Sequence, residues 1–185
     1  MILKNQQCRV EIEYDMTYTL NSADNHFYDV ILNPDNYQRR DDYKVLSISA
    51  DLFSSELHIA LVGPLYYAHI LDCVILEEKT LTVLQEDVIT QINLANGSIV
   101  RHLNLDSLGG NFAIYKIAKG YIIYGEIEIV MLDFDFNKKW SFSGKDIFVS
   151  VSGKTPFELR ENSIHLWDFC DNEYEIDFEG KEKAL

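Results

Sequence analysis

Apolar and polar residues alternate with a period of two along much of this chain. Between Arg9 and Leu20, apolar side chains occupy every even position and polar side chains every odd one. Because successive side chains of a strand point to opposite faces, this pattern predicts a strand over residues 9–20 with one solvated face. Similar alternating or short apolar runs follow at residues 44–61, 74–84, 89–94 and 127–131. The pattern predicts an all-β protein built of consecutive antiparallel hairpins.

Residues 21–43 interrupt this alternation with polar, turn-forming residues. The Asn33-Pro34-Asp35-Asn36 segment predicts a turn, residues 24–31 leave room for a short helix, and residues 39–42 predict a solvated loop. A length of 185 residues fits a single domain. We therefore expect one domain over residues 1–185. It would have an N-terminal strand and loop region at 1–43 and repeated β-hairpins at 44–185.

Three segments share one pattern, which is a large apolar residue, Asn or Asp, a second apolar residue, and Gly or Asn three positions later. They are Ile92–Gly97, Leu132–Asn137 and Trp167–Asn172, spaced by 40 and then 35 residues. An Asn or Asp side chain can cap the backbone of a turn, and Gly or Asn tolerates a left-handed φ. The repeat predicts three equivalent hairpin turns. Its Asn96-Gly97 pair carries the strongest short hairpin signal.

The repeated hairpin resembles the inner hairpin of β-propeller blades. Residues 92–100 are similar to the quinoprotein-type repeat, apolar-Leu-Asp-x-x-Thr-Gly-x-x-x-Trp, and residues 135–140 are similar to an Asp-box turn. The resemblance covers residues 86–182, although Asn137 replaces the glycine in the second copy. It implies propeller-like partial repeats that act as a scaffold, and it implies no function. The alternation alone equally allows an open twisted sheet or a sandwich.

The chain is strongly acidic, with 30 acidic and 16 basic residues and a net charge of -14. Binding to nucleic-acid phosphates or to anionic membranes needs clustered Lys and Arg, so we expect neither kind of partner. The excess lies mainly in residues 51–100 and 157–185, each with a net charge of -6. A basic protein partner fits this charge, and so does an acidic surface that serves only solubility.

Cysteine usage and terminal sequence bear on the compartment. Cys8, Cys73 and Cys170 are odd in number and form no CxxC, which is not the pattern of a disulfide framework. The first residues contain no apolar leader, and no apolar run reaches the length of a membrane span. We expect a cytoplasmic protein.

Catalytic and metal-binding templates fail at required positions. Asp133-Phe134-Asp135-Phe136-Asn137 begins like a calcium loop, but Lys138 and Gly144 stand where Gly and Glu are needed. The five histidines show no HxH or HxxxH spacing, and three of them fall in predicted strands, namely His58, His102 and His165. No serine lies in a GxSxG elbow, and no phosphate loop follows Gly109-Gly110. We expect no enzyme active site, no metal and no cofactor.

The C-terminal segment offers a candidate interaction surface. Carboxylates alternate there with Tyr174, Ile176 and Phe178, which predicts a strand with acidic residues on one face. The candidate partner-binding residues are Asp168, Asp171, Glu173, Glu175, Asp177 and Glu179.

The leading hypothesis is a non-enzymatic protein-binding module whose acidic face pairs with a basic protein. Its most concrete form is a small immunity protein or inhibitor that covers a cationic toxin, because complementary charge speeds encounter. One alternative is a carbohydrate-binding or carbohydrate-active propeller-like module with Trp140, Trp167, Tyr66 and Tyr67 as a sugar platform. The other is a domain with only a scaffolding role.

Overall fold

The computed structural model describes residues 1–64, 70–107 and 109–184, and these residues form sixteen strands. Strand accounts for 48% of the structure, and the all-β prediction is confirmed. The helical elements of the described residues are two single-turn 3-10 segments, Arg40–Asp42 and Ile70–Cys73. None of these described elements is long and apolar enough to cross a membrane as a helix.

The first sheet contains five strands in the order β1-β2-β4-β5-β3. Its strands are β1 (Ile2–Lys4), β2 (Arg9–Tyr14), β3 (Val30–Leu32), β4 (Lys44–Asp51) and β5 (Glu56–Gly63). Strand β3 lies parallel to β5, whereas the other pairs in this sheet are antiparallel. Strands β4 and β5 thus share one sheet with the strands of residues 1–43.

The remaining strands form three antiparallel meanders in which each strand pairs with the next one in sequence. The second sheet contains β6 (Val74–Glu77), β7 (Thr80–Gln85), β8 (Val88–Asn93) and β9 (Ser98–Asn104). The third contains β10 (Asn111–Ile117), β11 (Gly120–Gly125), β12 (Ile129–Leu132) and β13 (Lys138–Phe142). The fourth contains β14 (Phe157–Leu159), β15 (Ile164–Trp167) and β16 (Glu173–Ile176). Within the described residues none of the four sheets closes into a barrel.

The chain divides into two compact units, residues 1–105 and 106–185. In the first unit, the alternate apolar residues of β2, β4 and β5 pack with those of β7 and β8. In the second unit, residues of β11 and β12 pack with those of β15 and β16 around the fully buried Phe148. Burying alternate apolar positions is what the period-two pattern predicts. The expectation of one domain over residues 1–185 stays a prediction.

Two local expectations in the first 43 residues are wrong. The strand predicted over residues 9–20 ends at Tyr14, because the Asp15 carboxylate accepts the backbone N–H groups of Thr17 and Tyr18 and turns the chain. Residues 24–31 contain no helix, and the chain there runs from turns into β3. The turn predicted at residues 33–36 is present, with Asn36 at a left-handed φ of 58°.

Candidate functional site

The three repeated segments form the turns between the last two strands of the second, third and fourth sheets. In the later two copies an aspartate caps the turn. Asp133 Oδ1 accepts the backbone N–H groups of Asp135 and Asn137, at 2.9 Å each. Asp168 Oδ1 accepts the N–H groups two and four residues later in the same way, at 3.0 and 2.9 Å. The predicted hairpin turns are therefore present where the sequence places them.

The first copy differs from these two by one residue. Gly97, rather than the residue before it, takes the left-handed φ, 70°, and its N–H donates to the Asn93 carbonyl at 2.8 Å. The Asn93 side chain accepts the Ala95 N–H at 2.9 Å. Asn96-Gly97 thus lies in the short hairpin loop of residues 94–97, which connects the paired residues Asn93 and Ser98.

A fourth capped turn follows β16 and corrects the predicted acidic strand. Asp177 Oδ1 accepts the N–H groups of Glu179 and Lys181 at 2.9 Å each, and Gly180 takes a φ of 76°. Strand β16 therefore ends at Ile176, and Asp177 and Glu179 lie in a turn and not on the strand face. The spacing Asp177-x-x-Gly180 indicates such a turn, but the alternation of apolar and acidic residues over the same segment favoured a strand.

Asp168 is buried in the turn, with only 1% of the residue exposed. Its Oδ2 accepts the Tyr174 hydroxyl at 2.7 Å and the Asn172 side-chain amide at 2.9 Å. Burial by itself would raise the pKa of Asp168. The hydrogen bonds from Tyr174 and Asn172 have a larger effect in the opposite direction, so the pKa of Asp168 lies below its usual range. A carboxylate held in this way does not reach a partner protein.

The fourth sheet brings two of the candidate residues, Glu173 and Glu175, together on its polar face. Register places Glu158 opposite His165, and His165 opposite Glu175. Trp167 lies opposite Glu173 in the same ladder. The alternate residues Ile164 and Leu166 are fully buried, so these side chains occupy the opposite face. We call this set the β14–β16 face, and it consists of Glu158, His165, Trp167, Glu173 and Glu175.

His165 lies at the centre of the β14–β16 face and is 7% exposed. Its Nε2 is 2.7 Å from Glu173 Oε1, and its Nδ1 is 3.6 Å from Glu158 Oε2. The imidazole also contacts the Trp167 ring edge-on, with ring centroids 5.6 Å apart. The two carboxylates and the indole thus fix the ring orientation from three sides.

Trp167 borders a surface hollow of about 320 Å³, together with Lys154, Thr155, Glu158 and His165. The Lys154 ammonium lies 3.5 Å from the Trp167 ring centroid, close enough for a cation–π contact. Lys154 also pairs with Asp171 at 3.2 Å. One face of the indole is therefore covered by a flexible charged side chain of the same chain.

The remaining candidate carboxylates also have cationic neighbours. Glu175 pairs with Arg160 at 3.3 Å and with Lys183 at 3.4 Å. A hydrogen bond from Ser163 and the charges of Lys183 and Arg160 hold the pKa of Glu175 below its usual range. Glu179, in the following turn, pairs with Lys119. Of the six predicted residues, the structure brings Glu173 and Glu175 together on the face. Asp171 is linked to the face by Lys154, which pairs with Asp171 and lies over the Trp167 ring.

Other described residues considered from the sequence lie away from this face in the strand register. Trp140 donates its indole N–H to the Phe178 carbonyl at 3.1 Å and packs on Gly180. His58 and His102 lie in strands and contact a cross-strand hydroxyl, Ser49 Oγ at 3.1 Å and Thr90 Oγ1 at 3.0 Å. His102 also contacts Asp35 Oδ1 at 2.9 Å. The Tyr66, Tyr67 and His69 positions lie outside the described residues.

Sequence reasoning missed Glu158, which belongs to the face, and Lys154 and Arg160, which contact Trp167 and Glu175 of the face. His165-x-Trp167 does show the alternation of a strand face, but only the strand register places Glu158 beside His165. Lys154 comes from an irregular segment, where no periodicity indicates its direction.

Comparison with known proteins adds no assignment to this geometry. No protein-family model matches the chain, and no curated protein matches it. Within residues 1–64, 70–107 and 109–184, no three His, Cys, Asp or Glu side chains are grouped so that they could hold a metal ion.

Proposed function

We propose that this chain is a non-catalytic protein-binding module whose β14–β16 face contacts a basic protein. The observation that carries the proposal is the composition of that face, on which an aromatic side chain, Trp167, lies opposite Glu173, and Glu158 and Glu175 lie on either side of the neighbouring His165. Protein interfaces favour Trp among their most important contact residues and surround them with polar groups. A sheet face also offers a firm surface, because its side-chain positions are set by the ladder.

The charge of the chain supports a basic partner. A net charge of -14 attracts a cationic protein over a distance and speeds the first encounter. Glu175 already pairs with Arg160 and Lys183, but such partly exposed ion pairs are worth only about 0–1 kcal/mol. A partner's Arg or Lys side chain can therefore replace them at little cost. A cationic toxin covered by an immunity protein is the most concrete partner of this kind.

The test compares two matched double variants. Glu173→Gln with Glu175→Gln removes two charges from β16, and the amide oxygens still accept hydrogen bonds. Glu11→Gln with Glu13→Gln removes two exposed charges at the same period-two spacing on β2. The two variants have the same net charge as each other, so they differ only in where the two charges were removed. Proteins captured from the native lysate by the wild type would be purified, and their association rates measured at several salt concentrations.

We expect the β16 variant to associate about fivefold more slowly and to lose much of its salt dependence, while the β2 variant associates like the wild type. Equal rates for the wild type and the β16 variant would refute the proposed face. Equal slowing of both double variants would show that only net charge matters, and the face would again be refuted.

A carbohydrate is a second candidate ligand, because Trp167 borders a hollow that also contains Glu158 and His165. Sugar rings stack on indole faces while carboxylates accept from their hydroxyl groups. Lys154 would have to leave the indole first. A glycan array with the wild type and Trp167→Ala tests this candidate. Retention of a glycan by the wild type alone would favour it over a protein partner, and no retention would remove it.

A further inference from the structure

A second cavity, in the unit of residues 1–105, combines two cationic side chains with aromatic walls. It has a volume of about 200 Å³ and lies where the end of β2 meets the start of β4 and the 3-10 segment Arg40–Asp42. The residues that matter for its chemistry are Tyr14, Asp15, Arg40, Asp41, Tyr43 and Lys44.

Lys44 is the buried cation of this cavity, with only 6% of the residue exposed. Its ammonium lies 5.3 Å from the centre of the Tyr14 ring, within range of a cation–π contact. Burial and, to a lesser degree, the charge of Arg40 lower the pKa of Lys44. Arg40 and Lys44 therefore carry like charges and line the same cavity.

Arg40 is the exposed cation, and its guanidinium is held in place. Its guanidinium carbon lies 5.5 Å from the centre of the Tyr43 ring. Nη1 donates to the Tyr43 carbonyl at 3.4 Å, and Nη2 donates to the Met16 carbonyl at 3.1 Å. These bonds use two of the five N–H groups of a guanidinium, whose planar fork matches the oxygens of carboxylate and phosphate.

The two carboxylates that line the cavity do not compete strongly for these cations. Asp15 Oδ1 accepts the Thr17 N–H and hydroxyl at 2.9 and 2.7 Å and the Tyr18 N–H at 3.0 Å. Asp15 Oδ2 accepts the Tyr28 hydroxyl at 2.8 Å. The charge of Asp15 is therefore met by fixed donors. Asp41 is exposed, where solvent and salt screen its charge.

We propose that this cavity binds a small oxyanion, a phosphate or carboxylate group, with Arg40 as the direct ligand and Lys44 as a buried charge that strengthens the binding. An anion between the two cations would turn their repulsion into attraction. Hydrogen bonds between charged groups are also the strong ones in proteins. This site lies apart in sequence from the β14–β16 face and does not depend on the proposed partner.

The test measures binding of inorganic phosphate and of citrate by calorimetry and by the thermal midpoint, with sodium chloride at equal ionic strength as reference. The variants are Arg40→Gln and Lys44→Met, and the control is Arg39→Gln. Arg39 is the exposed neighbour that pairs with Asp42 and does not line the cavity. Burying a charged group costs free energy and Met is an apolar side chain of similar length, so Lys44→Met should fold.

We expect phosphate, citrate or both to bind to the wild type and to raise its midpoint. Arg40→Gln should weaken binding about tenfold, the loss expected for one charge-assisted hydrogen bond, and Lys44→Met should weaken it as well. Arg39→Gln should bind like the wild type. Binding of phosphate alone or of citrate alone would identify the anion class. No binding of either anion, or a midpoint rise of equal size in all four proteins, would overturn the proposal.

Discussion

The turns at Asp133 and Asp168 have the same backbone hydrogen bonds and very different surroundings. In each turn, the aspartate accepts the N–H groups two and four residues later. The residue three positions after the aspartate has a left-handed φ, 66° at Phe136 and 63° at Asp171. The Asp133 side chain is 28% exposed and faces Lys139 at 3.7 Å. Asp168 is buried and also accepts the Tyr174 hydroxyl.

This difference shows how burial changes the importance of one carboxylate. Water can replace the Asp133 side chain as acceptor for the exposed N–H groups of its turn. At Asp168 the donors include a buried hydroxyl, and a buried donor that loses its acceptor is left without a substitute. Equal geometry therefore predicts unequal effects of mutation, and four experiments can break or refine the comparison.

The largest effect is expected for Asp168→Ala. It removes the acceptor of five hydrogen bonds, one each from the Cys170 and Asn172 N–H groups and the Tyr174 hydroxyl and two from the Asn172 side-chain amide. We expect a loss of about 3 kcal/mol in the free energy of unfolding, measured by urea denaturation. Asp133→Ala is the matched control and should lose clearly less. Equal losses would show that burial does not distinguish the two turns.

Gly97→Val disrupts the copy of the turn that uses glycine at φ 70°. A β-branched residue is strained at a positive φ, and a Cβ at this position would lie 2.7 Å from Val30 Cγ2. We expect a loss of about 2 kcal/mol in the free energy of unfolding. Gly153 has a φ of 83° with open space around it, so Gly153→Val isolates the backbone strain. A Gly97→Val protein with an unchanged denaturation midpoint would contradict this assignment.

Tyr174→Phe removes the contact that distinguishes the Asp168 turn from the Asp133 turn. The hydroxyl donates to Asp168 at 2.7 Å and accepts the Lys145 N–H at 2.9 Å. We expect a loss of about 1 kcal/mol. The double variant Asp168→Ala with Tyr174→Phe should lose less free energy of unfolding than the two single variants lose together, because both changes remove the same hydrogen bond. Strict additivity in this double-mutant cycle would rule out coupling between the two side chains.

The smallest effect is a change in acid sensitivity. The net pKa of Asp168 is lower in the folded protein than in the unfolded chain, where an aspartate has a pKa of about 3.9. Its contribution to stability is therefore present above about pH 4 and is lost as the pH falls through the folded value. We expect Asp168→Asn to flatten the decline of stability between about pH 5 and pH 2, measured by urea denaturation. Parallel curves for the two proteins would contradict the lowered pKa.

The alternation of apolar and polar residues predicted most strands, but it did not predict where β2 and β16 end. The alternation continues beyond Tyr14 and beyond Ile176, although Asp15 and Asp177 turn the chain at those points. An aspartate is compatible with both the polar face of a strand and the first position of a capped turn. The alternation of side chains therefore could not separate the two structures, whereas the backbone N–H groups that each carboxylate accepts do so.

The candidate sites were less accessible to sequence reasoning than the strands. Glu173 and Glu175 were predicted on one face, but the neighbours that pair with them, His165, Arg160 and Lys183, come from other segments. The net charge of -14 is compatible with a basic partner and with a merely solubilising surface, and it does not show that these carboxylates have cations beside them. The cavity that contains Arg40 and Lys44 joins a segment predicted as a solvated loop, residues 39–42, to two segments predicted as strands, so no single pattern along the chain indicated it.

The sequence by itself determined the all-β class, the hairpin-like pairing of strands and the positions of the repeated turns. These are local properties, since side-chain direction alternates within each strand and a left-handed φ favours residues such as Gly97. Only the tertiary structure decided that Asp168 is buried while Asp133 is exposed, and that Lys44 lies against Tyr14. Burial and the distance between charges depend on residues far apart in sequence, and no short pattern along the chain encodes them.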